Sequence, residues 1–287
     1  MEKLNIDKVA KLALVSRSVV SRVLNNHPNV SKEARERVMD VVEKYKYRPN
    51  SAARSLATDS TFEIGILATR RGDEALGNGF WTMLHLGIFE ECIRRGYFVN
   101  LSFVSTKMKD EVYNFIVNER RFDGYILLTQ EVSDLVFEVL NERNIPTVLV
   151  GDDTSNKDIH SIDVDNFTGG YKATRHLIEL GHKNIGIILA GLNLNETVDR
   201  LEGYKSALLE SNIDIDEGNI IMGDYSQRFG YETMYSWIKQ KPEMTAVFCA
   251  SDTLAMGAIL ALYKCDVKIP DQFSVIGFDD LNFSKYL

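Results

Sequence analysis

The hydrophobic positions change their period once along this chain. Up to about residue 45 they recur every three or four positions; from Phe62 they gather into short strand-length runs separated by helical stretches. Ile6, Val9, Ala10 and Ala13 fall at i, i+3, i+4 and i+7, which predicts a short amphipathic helix with Asn5 at its N-cap. Ser16 is placed to cap a second helix whose inward face is Val20, Val23 and Leu24. Ser31 can cap a third, with Ala34, Val38, Val41, Val42 and Tyr45 on one face and Glu33 near the positive N-terminal end. Pro49 bars helix at Arg48, so Tyr47-Arg48-Pro49-Asn50 ends that helix. Asn50 can then open a short helix over Ser51–Ala57. It is too short to be stable alone, and its Leu56 has only alanines as local apolar neighbours. The same stretch also reads as a plain linker.

Beyond Phe62 the pattern predicts strands at Phe62–Ala68, Tyr97–Val104, Gly124–Leu128 and Thr147–Val150, with helices at Phe80–Arg95, Asp110–Arg120 and Val132–Arg143 between them. A second series follows, with strands at Ile185–Leu189, Ile220–Met222, Ala246–Ala250 and Ser274–Gly277. Its helices are Gly170–Leu180, Arg200–Ser211, Gly230–Gln240 and Thr253–Tyr263. Repeated strand–helix units imply parallel sheets covered on both faces. Two such series imply two similarly wound lobes, with a ligand held at the carboxyl ends of the strands and between the lobes.

Arg17, Ser18, Ser21 and Arg22 point outward together from the second helix. Two short helices joined by a tight turn, the second showing Arg and small polar groups, describe a helix-turn-helix DNA reader. A surface helical hairpin carrying two arginines has the same pattern. The net charge of −8 argues against a DNA binder until it is divided along the chain. Residues 1–60 hold 12 Lys and Arg against 7 Asp and Glu, or +5; the remaining 227 hold 21 against 34, or −13. A basic reader joined to an acidic body has this asymmetry, and it leaves phosphate contact to the head.

With 45% hydrophobic residues and 26% charged, the 287 residues have apolar material for two or three compact units. The apolar runs are too short to span a membrane, and the N-terminus lacks the apolar core of a signal peptide, so a cytoplasmic location is expected. Cys92, Cys249 and Cys265 give neither a disulfide framework nor a metal pattern, and His27, His85, His160, His176 and His182 lack metal spacing. No cofactor is expected.

DKVAKLALVSRSVVSRVLN, NVSKEARERV and YRPNSAARSLAT in the head resemble the lactose/galactose repressor (LacI/GalR) family of bacterial transcription regulators. The resemblance extends through RRFDGYILL, IPTVLV, DVDNFTGGYKATRHLIELGHKNIG, DRLEGYKSAL, GDYSQRFGYE, TAVFCASDTLAMGA and SVIGFDD. It implies an N-terminal all-α helix-turn-helix head and an α/β body of two doubly wound parallel-sheet lobes of the periplasmic-binding-protein type. The implied boundaries are 1–48 for the head, 49–60 for a hinge helix and linker, 61–163 for the first lobe and 164–287 for the second.

The resemblance also implies a homodimer on a near-palindromic operator in double-stranded DNA, one head per half-site. Arg17, Ser18 and Arg22 occupy the family's base-reading positions, which suits Arg on guanine N7 and O6 and a small Ser on either base edge. Ser16 and Ser21 fit phosphate contacts, and Asn25 fits positioning of the helix end. Asn50 and Arg54 fall in the hinge helix, and Leu56 falls where the family wedges a leucine into the minor groove. In the cleft, Arg200 matches the family's ligand-binding arginine, Asp252 and Asp279 match acceptors for ligand hydroxyls or amines, and Tyr225 matches a stacking aromatic. Phe80 and Trp81 are first-lobe candidates. Arg200 also suits a surface salt bridge, Asp252 a helix cap, and Phe80 and Trp81 a helix-face core. The implied effector is a small molecule, a sugar above all.

Three departures stand out. Leu14 occupies a turn position where the family usually has Gly, so the turn must tolerate its backbone in another way. Gly151 stands where sugar-binding relatives often carry an acidic residue, with Asp152 beside it. Relatives continue past GFDD with a strand and helix that return to the first lobe, so a chain ending at Leu287 is expected to lack a sheet edge and part of its dimer face.

Two other functions fit parts of the sequence. A solute-binding protein without operator function would use the same body, but the basic head is superfluous to it. An enzyme on a doubly wound scaffold is opposed by the absence of G-x-G-x-x-G after the first strand, of a Walker sequence and of G-x-S-x-G.

Overall fold

The computed structural model describes residues 4–24, 27–47, 60–68, 79–103, 121–128, 139–151, 160–191, 194–241 and 243–287. The chain divides into two compact units at Phe62, with Arg121–Asp123 grouped in the first.

The first unit holds α1 (Ile6–Leu12), α2 (Arg17–Leu24) and α3 (Lys32–Lys44). Each expected cap forms. Asn5 Oδ1 accepts the Lys8 N–H at 2.9 Å, Ser16 Oγ the Val19 N–H at 3.4 Å, and Ser31 Oγ the Ala34 N–H at 3.2 Å. Val9, Ala10, Ala13, Val20, Val23 and Val38 form the core, with Val41, Val42 and Tyr47 packed against it. Leu14 takes a left-handed backbone, φ +55°, and is 79% exposed. Its N–H bonds to the Lys11 carbonyl while the Val15 N–H reaches the Ala10 carbonyl, the paired pattern that ends a helix at a left-handed residue. The turn therefore keeps the geometry that glycine ordinarily serves, and Leu14 bears the steric cost. In the same unit, the Asp123 carboxylate gathers the incoming chain: it accepts the Ser60 hydroxyl, the Thr61 N–H and hydroxyl, and the Phe62 N–H.

The second unit contains two wholly parallel sheets. The first is built from β1 (Glu63–Ala68), β2 (Phe98–Phe103), β3 (Gly124–Leu127), β4 (Thr147–Val150) and β5 (His160–Ile162), in the order β2-β1-β3-β4-β5. Helix α4 (Gly79–Arg94) covers it through Trp81, Leu84 and Ile88. The second sheet is β7-β6-β8-β9, from β6 (Ile185–Ala190), β7 (Ile220–Gly223), β8 (Ala246–Cys249) and β9 (Ser274–Ile276). Its helices are α5 (Asn166–Glu179), α6 (Asn195–Glu210), α7 (Gln227–Gln240) and α8 (Asp252–Lys264). β6 and β8 are buried along their whole length, as continuous apolar runs in a parallel sheet require.

The sequence pattern misplaces several ends and misses one strand. β5 is exposed at all three residues, so no burial pattern marks it. α5 begins at Asn166 rather than Gly170, and α7 at Gln227 rather than Gly230. Asp165 and Ser226 are the caps, and they place the glycines inside the helices. Those glycines serve helix crossing. A side chain on Gly170 would strike the Arg200 backbone, and one on Gly203 the Phe167 carbonyl and Tyr171 N–H, so α5 and α6 touch almost backbone to backbone. Gly230 and Gly257 do the same for α7 and α8, against Leu254 and Gln227. The helix expected at 110–120, and residues 132–138 of the next one, lie outside the described residues.

Candidate functional site

The candidate reading face lies on α2. Arg17, Ser18 and Arg22 are exposed, while Ser21 is half-buried. Ser16 spends its hydroxyl on the cap and on a 2.8 Å bond with the Ser18 hydroxyl. Arg17 Nε stands 3.9 Å from Asp7 Oδ1 on α1, both side chains well exposed. Asn25, Asn50, Arg54 and Leu56 lie outside the described residues.

The second candidate site forms where the carboxyl ends of the second sheet converge. β6 opens it between β7 and β8, the point at which strand order reverses and α/β sheets hold ligands. Arg200, on α6, is only 7% exposed. Its Nε donates to Asn166 Oδ1 at 2.9 Å, its Nη1 to the Ala250 carbonyl at 2.5 Å, and its guanidinium carbon lies 3.8 Å from the centre of the Phe278 ring. Among the described residues Arg200 makes no surface salt bridge: it is anchored inside by an amide, a carbonyl and an aromatic face. The Gly170–Arg200 backbone approach fixes where α6 carries it.

Asp279 follows β9 with φ +105°. Burial pushes its carboxyl up to about 7; neighbouring Arg200 lowers it and Asp252 raises it further. Asp252 is buried at the start of α8, and the cap it was a candidate for belongs to Ser251, whose Oγ accepts the Leu254 N–H at 3.2 Å. Asp252 Oδ2 instead accepts the Leu281 N–H at 2.7 Å. Burial, then neighbouring Asp280, raises its pKa against the Leu281 and Phe278 backbone bonds. Tyr225, just after β7, is half-buried with its hydroxyl 3.4 Å from that of buried Thr197. Arg200, Asp279, Asp252 and Tyr225 are thus all carried near one end of one sheet.

Phe80 and Trp81 occupy the first turn of α4 and meet edge to face, ring centres 5.4 Å apart. Trp81 also packs on the first-lobe core, so it serves the helix face as well. Gly151 has φ +109°, a backbone an acidic residue would hold only under strain; Asp152 lies outside the described residues. Asn166 and Phe278, the partners that orient Arg200, are not apparent from the sequence. Both sit in the quoted blocks DVDNFTGG and GFDD, but no local pattern marks either as a partner of α6. Among the described residues no cluster of His, Cys, Asp and Glu can hold a metal, and no described helix is long and apolar enough to cross a membrane.

Comparison with known proteins agrees with this geometry. Residues 5–50 match the model for bacterial regulatory proteins of the lacI family, and residues 73–285 match that for periplasmic binding proteins and the sugar binding domain of the LacI family. The HTH-type transcriptional repressor PurR of Haemophilus influenzae is 35% identical over 284 residues, covering 98% of this chain and 82% of its own length. The lac repressor dimer bound to operator and the anti-inducer ONPF superposes with a TM-score of 0.84 at 25% identity, over 99% of this chain and 84% of that one. The complex of the transcriptional regulator CelR with cellobiose superposes with a TM-score of 0.72 at 28% identity, over 99% and 85%. A helix-turn-helix head followed by two parallel-sheet lobes, matched along nearly its whole length by transcriptional repressors rather than enzymes, places this chain in the LacI family of bacterial DNA-binding transcription regulators.

Proposed function

We propose that this regulator is a repressor working in the cytoplasm as a homodimer on a near-palindromic operator, and that a sugar or sugar derivative between its lobes controls it. The observation that carries the effector reading is the convergence of Arg200, Asp279 and Tyr225 at the carboxyl ends of the second sheet. Arg200 is held so that its remaining N–H groups stay available as donors, Asp279 supplies a carboxyl acceptor, and Tyr225 supplies a ring. A polyol with an apolar ring face suits that set, as a sugar does. The cellobiose complex of CelR supports a small-molecule effector and leaves its identity to chemistry. Arg17, Ser18 and Arg22 read bases, with Ser16 and Ser21 on phosphates and Asn25 positioning the helix end; Asn50, Arg54 and Leu56 act at the operator centre. Met83, Leu86 and Ile93 form an exposed apolar stripe along α4, which supports a face for the second copy.

Ligand and operator each alter the other's affinity by the same factor. The test is selection of a binding duplex from random DNA, followed by titration of sugars and nucleobases against that complex and in a thermal-shift assay. A sugar that changes operator affinity supports the proposal. A nucleobase that does so in its place would reassign the effector class.

A further inference from the structure

The turn after β9 is tied down at both ends by one residue of α8. Asp252 is 6% exposed, its N–H donates to the Phe278 carbonyl at 2.8 Å, and its Oδ2 accepts the Leu281 N–H at 2.7 Å. Its other oxygen stands so close over Gly277 that any side chain there would collide with it. Between the two anchors, Asp279 and Asp280 have φ +105° and +53°. Non-glycine residues hold such conformations when the surroundings over-determine them.

The far end of the turn reaches the other lobe. Leu281 is 2% exposed, and a Cβ placed on Gly79 would stand 3.2 Å from both of its methyl carbons. Gly79 opens α4, the first-lobe helix whose next two residues are Phe80 and Trp81. An unbroken series of contacts therefore runs from Arg200 on the Phe278 ring, through the turn that Asp252 holds, to Leu281 and the first turn of α4.

We infer that Asp252 is a positioning residue rather than an effector contact: it latches the Phe278–Leu281 turn, and through Leu281 that turn joins the effector cleft to the first lobe. A carboxylate oxygen bonded to a buried N–H is committed to the protein, and breaking that bond leaves both groups buried and unpaired. With the turn held rigid, a shift of Phe278 or Asp279 on effector binding is passed to α4 instead of being absorbed locally. That last step rests on the effector reading above; the latch itself does not.

Hydrogen exchange of the full chain, followed by mass spectrometry without effector or DNA, tests the latch. D252A is expected to speed exchange about tenfold both at 279–283 and at 79–84, while α6 and α7 keep their protection. D252N, whose amide oxygen still accepts the Leu281 N–H, is expected to stay near the wild-type rates. L281A is expected to loosen 79–84 while 279–283 stays protected. Wild-type exchange at 79–84 in D252A would overturn the coupling, and equal loosening in D252N and D252A would overturn the hydrogen-bonded latch. Should D252A fail to fold, L281A decides alone: unchanged exchange at 79–84 removes Leu281 as the link. Failure here leaves the repressor reading intact, because neither DNA nor effector enters the measurement.

Discussion

The guanidinium of Arg200 rests 3.8 Å above the ring of Phe278. One residue thereby reads the position of the turn after β9 while its Nε and Nη1 fix it to α5 and to the end of β8. In a dry setting such a cation–ring contact contributes about 2 kcal/mol, and the two hydrogen bonds add direction to it. A lysine has neither the planar fork nor the reach to satisfy all three partners.

Arg200→Lys is therefore expected to abolish the thermal shift produced by an effector sugar while the chain stays folded. Arg200→Ala should in addition lower stability by about 1–3 kcal/mol, because the Ala250 carbonyl and the Asn166 amide lose their partner. Denaturation with and without sugar measures both effects. A lysine variant with full response would move the effector elsewhere.

Leu14→Gly should stabilise the head. Leu14 holds φ +55° with no burial to compensate, since its side chain is 79% exposed. Relief of the left-handed strain is worth about 1–2 kcal/mol, and the greater freedom of glycine in the unfolded chain returns about 0.4–1 kcal/mol of that. A net gain of about 0–1.6 kcal/mol is expected, read as a higher melting temperature of the head. A lower one would show that the leucine has a contact worth more than its strain.

Asp279 makes stability depend on pH in a defined window. Its carboxyl is raised from the ordinary 3.8 to about 7, so between those values the folded chain keeps a proton that the unfolded chain has released. Stability from this group is greatest below about 4, falls as pH rises towards 7, and is level above it. Asp279→Asn should flatten that part of the melting profile. An unchanged slope in the variant would assign it to another group, such as Asp252, whose pKa is displaced in the same direction.

Arg22→Ala should relax preference at one base pair in each half-site by about 1–3 kcal/mol, because Arg22 projects from the exposed face of α2. Selection from random DNA with the variant checks this. A binding logo identical to that of the parent chain would place base reading on other residues.

Leu56→Ala is expected to weaken binding to the selected duplex while nonspecific binding, which rests on phosphate charge, stays nearly constant. Titration against the selected duplex and against scrambled DNA separates the two. Equal losses for both would remove the minor-groove role that the family resemblance assigns to Leu56.

The head was legible because its signals are local. Apolar residues three and four apart define each helix face, and Asn5, Ser16 and Ser31 bond to amides three residues away, so position in sequence decides the contact. The fully buried strands β6 and β8 were legible for a similar reason, since only apolar runs can lie inside a parallel sheet. The motifs also marked Arg200, Tyr225, Asp252 and Asp279 before any fold was known, but as separate points. Tertiary structure decided what they do to one another. Ser251 takes the cap that Asp252 was equally placed to make, freeing the aspartate to hold Leu281 twenty-nine residues away. Asn166 and Phe278 become partners of Arg200 because glycines let α5 and α6 cross at backbone distance and because β9 ends beside β8. Sequence periodicity records which side of an element is buried. It does not record which distant atom waits on that side, and in this regulator those meetings are what bring scattered residues together at one end of a sheet.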